Sequence, residues 1–116
     1  MFKKLKNKIF LLKRKIKHFY QKRTRGFSDD ETWSLYTNIA KYTLPRLKRL
    51  REINFGVPCD VYTEKTWNKI LDDMIFAINF AANHDDMDVS SLTKKDCKRI
   101  NRGLNLFGKY FMDLWW

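Results

Sequence analysis

Apolar side chains recur early in the chain at Phe2, Leu5, Ile9, Leu12, Ile16 and Phe19. Steps of three and four residues place all six on one side of an α-helix. The pattern predicts a helix over residues 2–22, about 30 Å long at ~1.5 Å per residue. Its other faces are mostly lysine. Gly26 supplies the turn that ends it. Ser28 with Glu31 three residues on is the spacing of a capping box, and Asp29, Asp30 and Glu31 put negative charge at the positive end of a second helix dipole. Trp33, Tyr36, Ile39, Ala40 and Leu44 continue that helix's apolar face. Pro45 lacks an amide donor and crowds the preceding turn, so the second helix is expected to be kinked or broken there. Leu47 and Leu50 carry the pattern on to about Ile53, and Lys48 and Glu52 are spaced for an i, i+4 ion pair.

The stretch NFGVPCD reads as a loop. Thr63 then caps a third helix whose buried side is Trp67, Ile70, Leu71, Met74, Ile78 and Ala81. A polar, acidic connector follows over residues 83–91. Thr93 with Asp96 marks another capped start. In the last helix Cys97, Ile100, Leu104, Phe107, Phe111 and Leu114 repeat at helical spacing almost to the C-terminus. Gly103 and Gly108 each cost about 1 kcal/mol of helix propensity, and close approach of a neighbouring helix is a packing reason for them. The expectation is an all-α protein: a small bundle of about four helices with a long basic N-terminal one.

Charge alters this picture more than composition does. Four glycines and two prolines leave little room for a hairpin-rich β fold, and 116 residues suit one domain, 1–116. The net charge is +11, and it is not spread evenly. Residues 1–25 carry eleven Lys or Arg and no acid; residues 26–116 carry thirteen of each sign. The chain is a charge-neutral helical body behind a basic amphipathic helix. That helix has three uses. It packs in the bundle with its lysines in water, which is the leading expectation because its stripe matches that of the last helix. Otherwise it lies on anionic lipid or follows nucleic-acid phosphates. No apolar run approaches the ~18 residues of a transmembrane span, and Lys13, Arg14 and Lys15 interrupt any signal-peptide core. A membrane is not expected among the partners. Cys59 and Cys97 match no metal or redox pattern and read as reduced thiols.

Catalytic chemistry finds few candidates. HDDMD at 84–88 crowds metal-type ligands but lacks the glycine and final glutamate of a calcium loop. Asp72 and Asp73 are adjacent, so on a helix they point about 100° apart and make a poor carboxylate pair. His18 and His84 lie in no nucleophile or metal motif, and no phosphate-cradling glycine loop occurs. No enzyme activity, metal or cofactor is expected. Binding is the stronger prospect. Arg23, Arg25, Arg46, Arg49, Arg99 and Arg102 form three clusters, and guanidinium groups donate paired hydrogen bonds to phosphate. With Trp33 or Tyr36 beside them they would form an anion pocket with a ring for a base to stack on.

The segments KIKHFYQKRTRGFSDDETWSL, LPRLKRL and FGVPCDVYTEKTWNKILDDMI, with the ending CKRINRGLNLFGKYFMDLWW, resemble a group of small proteins encoded by tailed bacteriophages. These share a basic helix, an R-G-[FY]-S-D motif with a tryptophan shortly after, a G-x-P loop and a T-x-x-x-W-x-x-IL helix. The resemblance covers residues 14–80 well and the tail loosely. Many members carry an aspartate after the W-x-L unit; Tyr36 stands there in this chain, so no role of that acid carries over. The resemblance implies a phage source and action in the host bacterial cytoplasm, and supplies no reaction. In that setting the expected function is a non-catalytic accessory protein, homo-oligomeric by analogy with helical sponges, that sequesters an anionic nucleotide such as a defence signal. The expected ligand-binding residues are Arg23, Arg25, Trp33, Tyr36, Arg46, Arg49, Arg99 and Arg102. The alternatives are a nucleic-acid-binding module using the lysine-rich helix, or an inhibitor docking on a host protein.

Overall fold

The computed structural model describes residues 2–54, 56–83 and 89–115. Among the described residues there are five α-helices and no strand. The protein is all-α, as the periodicity predicts. The helices are α1 (Phe2–Arg25), α2 (Asp29–Trp33), α3 (Leu35–Ile53), α4 (Glu64–Asn83) and α5 (Lys94–Lys109), with short 3-10 turns at Val89–Ser91 and Phe111–Asp113. They fall into two compact units, Met1–Leu35 and Tyr36–Trp116. The acidic HDDMD stretch lies outside the described residues.

In the first unit, α1 runs to Arg25, and Gly26 adopts φ 85°, the left-handed conformation that glycine takes without a Cβ penalty. Its amide donates to the Lys22 carbonyl at 2.9 Å and closes the last turn. The chain then reverses into α2. The capping box expected there forms: the Ser28 amide donates to the Glu31 carboxylate at 2.6 Å. The Ser28 hydroxyl separately donates to the Asp30 carboxylate. Gln21 ties α2 back to α1 in both directions. Its amide nitrogen donates to the Asp29 carboxylate at 2.7 Å, and its oxygen accepts from the Asp29 amide at 2.9 Å.

The interruption expected at Pro45 falls elsewhere. The chain leaves helical geometry at Ser34 (φ −115°, ψ 61°), between α2 and α3, and α3 passes through Pro45 without a break. Proline forfeits one backbone hydrogen bond, and neighbouring packing outweighs that loss: Ala40, Leu44, Leu47 and Leu50 flank it on the side that meets the core. The face of α3 also differs from the expected one. Thr37, Ala40 and Leu47 are buried, whereas Tyr36 and Ile39 are at least half exposed. Glu52 pairs with Arg49 at 2.9 Å rather than with Lys48.

The second unit is organised around α4. Trp67, Leu71, Met74, Ala77, Ile78 and Ala82 are buried along it, close to the expected stripe. Thr63 caps its start by accepting from the Thr66 amide at 3.1 Å. The α5 start also forms as expected, with Thr93 and Asp96 exchanging hydrogen bonds at 3.1 and 3.2 Å. Its buried face is rotated from the expected stripe. Ile100 and Gly103 are buried, Leu106 and Phe107 pack against the core, and Leu104 and Phe111 turn outward. The reason is Gly103. A Cβ built there would overlap the Asp73 carbonyl oxygen and lie 2.6 Å from the Ala77 Cβ. The helices meet backbone to side chain at their smallest residues, so the contact line runs through the glycine and not through the largest rings. The helix ends at Lys109, short of the expected extent, and Tyr110 turns inward. Its ring meets Trp67 edge-on at 5.4 Å, and its hydroxyl donates to the Asp60 carboxylate at 3.0 Å, anchoring the loop between α3 and α4.

The Gly103 contact sets a testable cost. Gly103→Ala gains helix propensity but must push two backbones apart, so overpacking dominates. Urea unfolding is expected to show a loss of about 1–3 kcal/mol, whereas Gly108→Ala, with open space around it, should be neutral or stabilising.

Candidate functional site

The adjacent acids of α4 do divide, as their spacing implies, and each goes to a different neighbour. Asp72 accepts from Arg51 of α3 at 2.8 and 3.3 Å. That hydrogen bond raises the Arg51 pKa above its ordinary value. Asp73, 7% exposed, meets Arg99 at 3.1 Å and Arg102 at 3.3 Å from α5. Arg99 also rests over the Phe76 ring, 4.2 Å from its centroid. Moving these two guanidinium groups to a ligand would leave a buried carboxylate unpaired, which is far costlier than a phosphate contact returns. Arg99 and Arg102 are therefore positioned to hold α5 on α4.

Arg46 and Arg49 differ in that respect. Both line a groove of about 350 Å³ with Tyr42, Thr43, Leu47, Leu50, Ile53, Leu114 and Trp115. Arg46 stacks on Tyr42, its guanidinium carbon 3.7 Å from the ring centroid, and donates to the Tyr42 carbonyl at 2.7 Å. It makes no ion pair among the described residues. Among the described residues Arg49 pairs only with Glu52, and both side chains of that pair are well over half exposed. An exposed pair of this kind is worth about 0–1 kcal/mol, so Arg49 is readily transferred to an incoming anion. The groove thus offers two available guanidinium groups on its rim, an aliphatic floor of Leu47, Leu50, Ile53 and Leu114, and the rings of Tyr42 and Trp115.

The remaining expected residues are not among those lining this groove. Tyr36 is about 15 Å along α3 from Arg46, at ~1.5 Å per residue, and half exposed. Arg23, Arg25 and Trp33 belong to the first unit. There Arg25 closes the α1–α2 turn, pairing with Asp29 at 2.5 Å and donating to the Phe27 carbonyl at 3.1 Å. Arg23 is exposed on the last turn of α1. Trp33, 80% exposed, faces Arg14 at 5.7 Å across a groove of about 580 Å³ that also holds Lys13, Lys17, His18, Asp29 and Asp30. Lys17 lies 3.8 Å from Asp29 and the His18 ring lies 3.6 Å from Asp30, so two carboxylates stand inside this groove. Hydrogen bonds from Gln21 and then Arg25 hold the Asp29 carboxyl below the usual aspartate range, and the Ser28 hydroxyl does the same for Asp30.

Two aromatic residues of the groove escaped the sequence reading. Tyr42 was legible in retrospect, since Tyr42 and Arg46 stand four apart on one helix. Trp115 had no such signal, because only the inward turn after α5 brings it beside α3. No protein-family model, curated protein or solved structure matches the chain.

Two predictions follow from these pairings. Asp73→Asn is expected to lower stability by about 1–3 kcal/mol, since it leaves two half-exposed arginines without their shared anion; Glu52→Gln should change it by less than about 0.5 kcal/mol. Chemical denaturation of the two variants separates them. Because the folded pKa values of Asp29 and Asp30 are depressed, their support of the α1–α2 turn is complete above the ordinary aspartate value of 3.8 and is lost as pH falls through the lower folded values. Carboxyl NMR titration should find the Asp29 midpoint below 3.8 and moved upward in Gln21→Ala.

Proposed function

We propose that the protein binds an anionic ligand of the nucleotide class in the groove between α3 and the C-terminal segment, and holds it without altering it. The observation that carries this reading is the pairing of Arg46, stacked on Tyr42 and free of any carboxylate among the described residues, with Arg49, whose exposed partner yields readily. Two guanidinium groups on one rim suit a phosphate or a bridged pair of phosphates. Beneath them, an aliphatic floor beside Trp115 suits the flat face of a base, a contact worth about 1–3 kcal/mol. The described lining contains no carboxylate, imidazole or thiol, which favours capture over chemistry. The phage-like motifs read in the sequence suggest the setting: a host nucleotide signal removed from circulation by binding.

The test is direct. Purified protein, denatured by boiling, should release an ultraviolet-absorbing small molecule, or the emptied protein should bind members of a panel of mono-, di- and cyclic nucleotides in calorimetry. Arg46→Ala and Arg49→Ala should each weaken that binding about 10- to 100-fold, as expected from losing a charged hydrogen bond of ~1.5–3 kcal/mol. Lys94→Ala, outside the groove, should leave it unchanged. Binding that survives both arginine substitutions would overturn the assignment.

A further inference from the structure

The first unit carries a separate feature that the groove does not use. Phe2, Leu5, Ile9, Leu12, Ile16 and Phe19 of α1 are each between 46% and 81% exposed, and no residue of α1 is buried. At about 100° per residue these six share an arc of roughly 100°. Lys6 and Lys13 border one edge of the arc, and Lys8 and Lys15 border the other. The only other helix in the unit, α2, binds the opposite side: its contacts are to Arg14, Lys17, His18, Gln21 and Arg25. Among the described residues of this unit nothing covers the stripe.

We infer that α1 lies on the surface of an anionic lipid bilayer, its stripe in the acyl boundary and its bordering lysines among the headgroups. Charge decides between the candidate occupants. A second α1 would cover the stripe but would set eleven cations against eleven, with no acid on either helix. A nucleic acid would take the lysines but offers no apolar surface to the stripe. An anionic bilayer takes both. The helix rests on the membrane and does not cross it: among the described residues no helix is long and apolar enough to span one. The lysine stems extend along the apolar boundary with their ammonium groups outward, which suits the two bordering rows.

Co-sedimentation of the full chain with vesicles tests this. Binding is expected to vesicles of phosphatidylglycerol and phosphatidylcholine, at least tenfold stronger than to phosphatidylcholine alone. The neutral triple variant Ile9→Ser, Leu12→Ser, Ile16→Ser should lose that binding at least tenfold, and Lys6→Gln, Lys8→Gln, Lys13→Gln should weaken it while keeping the stripe. Three outcomes would overturn the inference. One is vesicle binding untouched by the serine variant. Another is binding to duplex DNA, falling steeply with salt, with none to vesicles. The third is a lowered denaturation midpoint of residues 36–116 in the serine variant, which would show that the chain itself covers the stripe.

Discussion

The second unit depends on the close approach of α4 and α5 at Gly103. With no Cβ at that position, the α5 backbone rests against the Asp73 carbonyl and the Ala77 side chain. That separation is what brings Arg99 and Arg102 within reach of the Asp73 carboxylate. The same register points Tyr110 at Trp67 and lets its hydroxyl reach Asp60. A wider spacing would strand a buried carboxylate and release the loop before α4. Packing and electrostatics are thus two consequences of one steric allowance.

Asp72 and Asp73 show how one helix organises its neighbours with adjacent acids. The turn between successive residues sends one carboxylate to α3 and the other to α5. The arginine on the α3 side and the two on the α5 side are committed to these ties. Arg46 and Arg49, on the far side of α3, are not, and the proposed binding groove rests on this difference in commitment. Counting arginines does not reveal it; the exposure of each partner carboxylate does.

The first unit follows another logic. Its acids serve its own turn: Asp29 and Asp30 draw Lys17, His18 and Arg25 to one side of α1. Lys6, Lys8, Lys13 and Lys15 remain along the borders of the stripe on the other side. A helix whose cations were evenly answered would have no preferred outward face; here the α2 segment defines one.

Helix identity, caps and the α4 core were determined by the sequence alone, because they depend on periodicity and on side chains within four residues of each other. Ser28 with Glu31, Thr93 with Asp96, and the run from Trp67 to Ile78 are local facts of this kind. The uninterrupted passage of α3 through Pro45, the rotation of the α5 face toward Gly103 and the different partners of Arg46, Arg49, Arg99 and Arg102 were decided only in three dimensions. Each turns on a competition that no local window contains: a lost hydrogen bond against core packing, large rings against close backbones, an arginine left in solvent against a carboxylate brought from another helix.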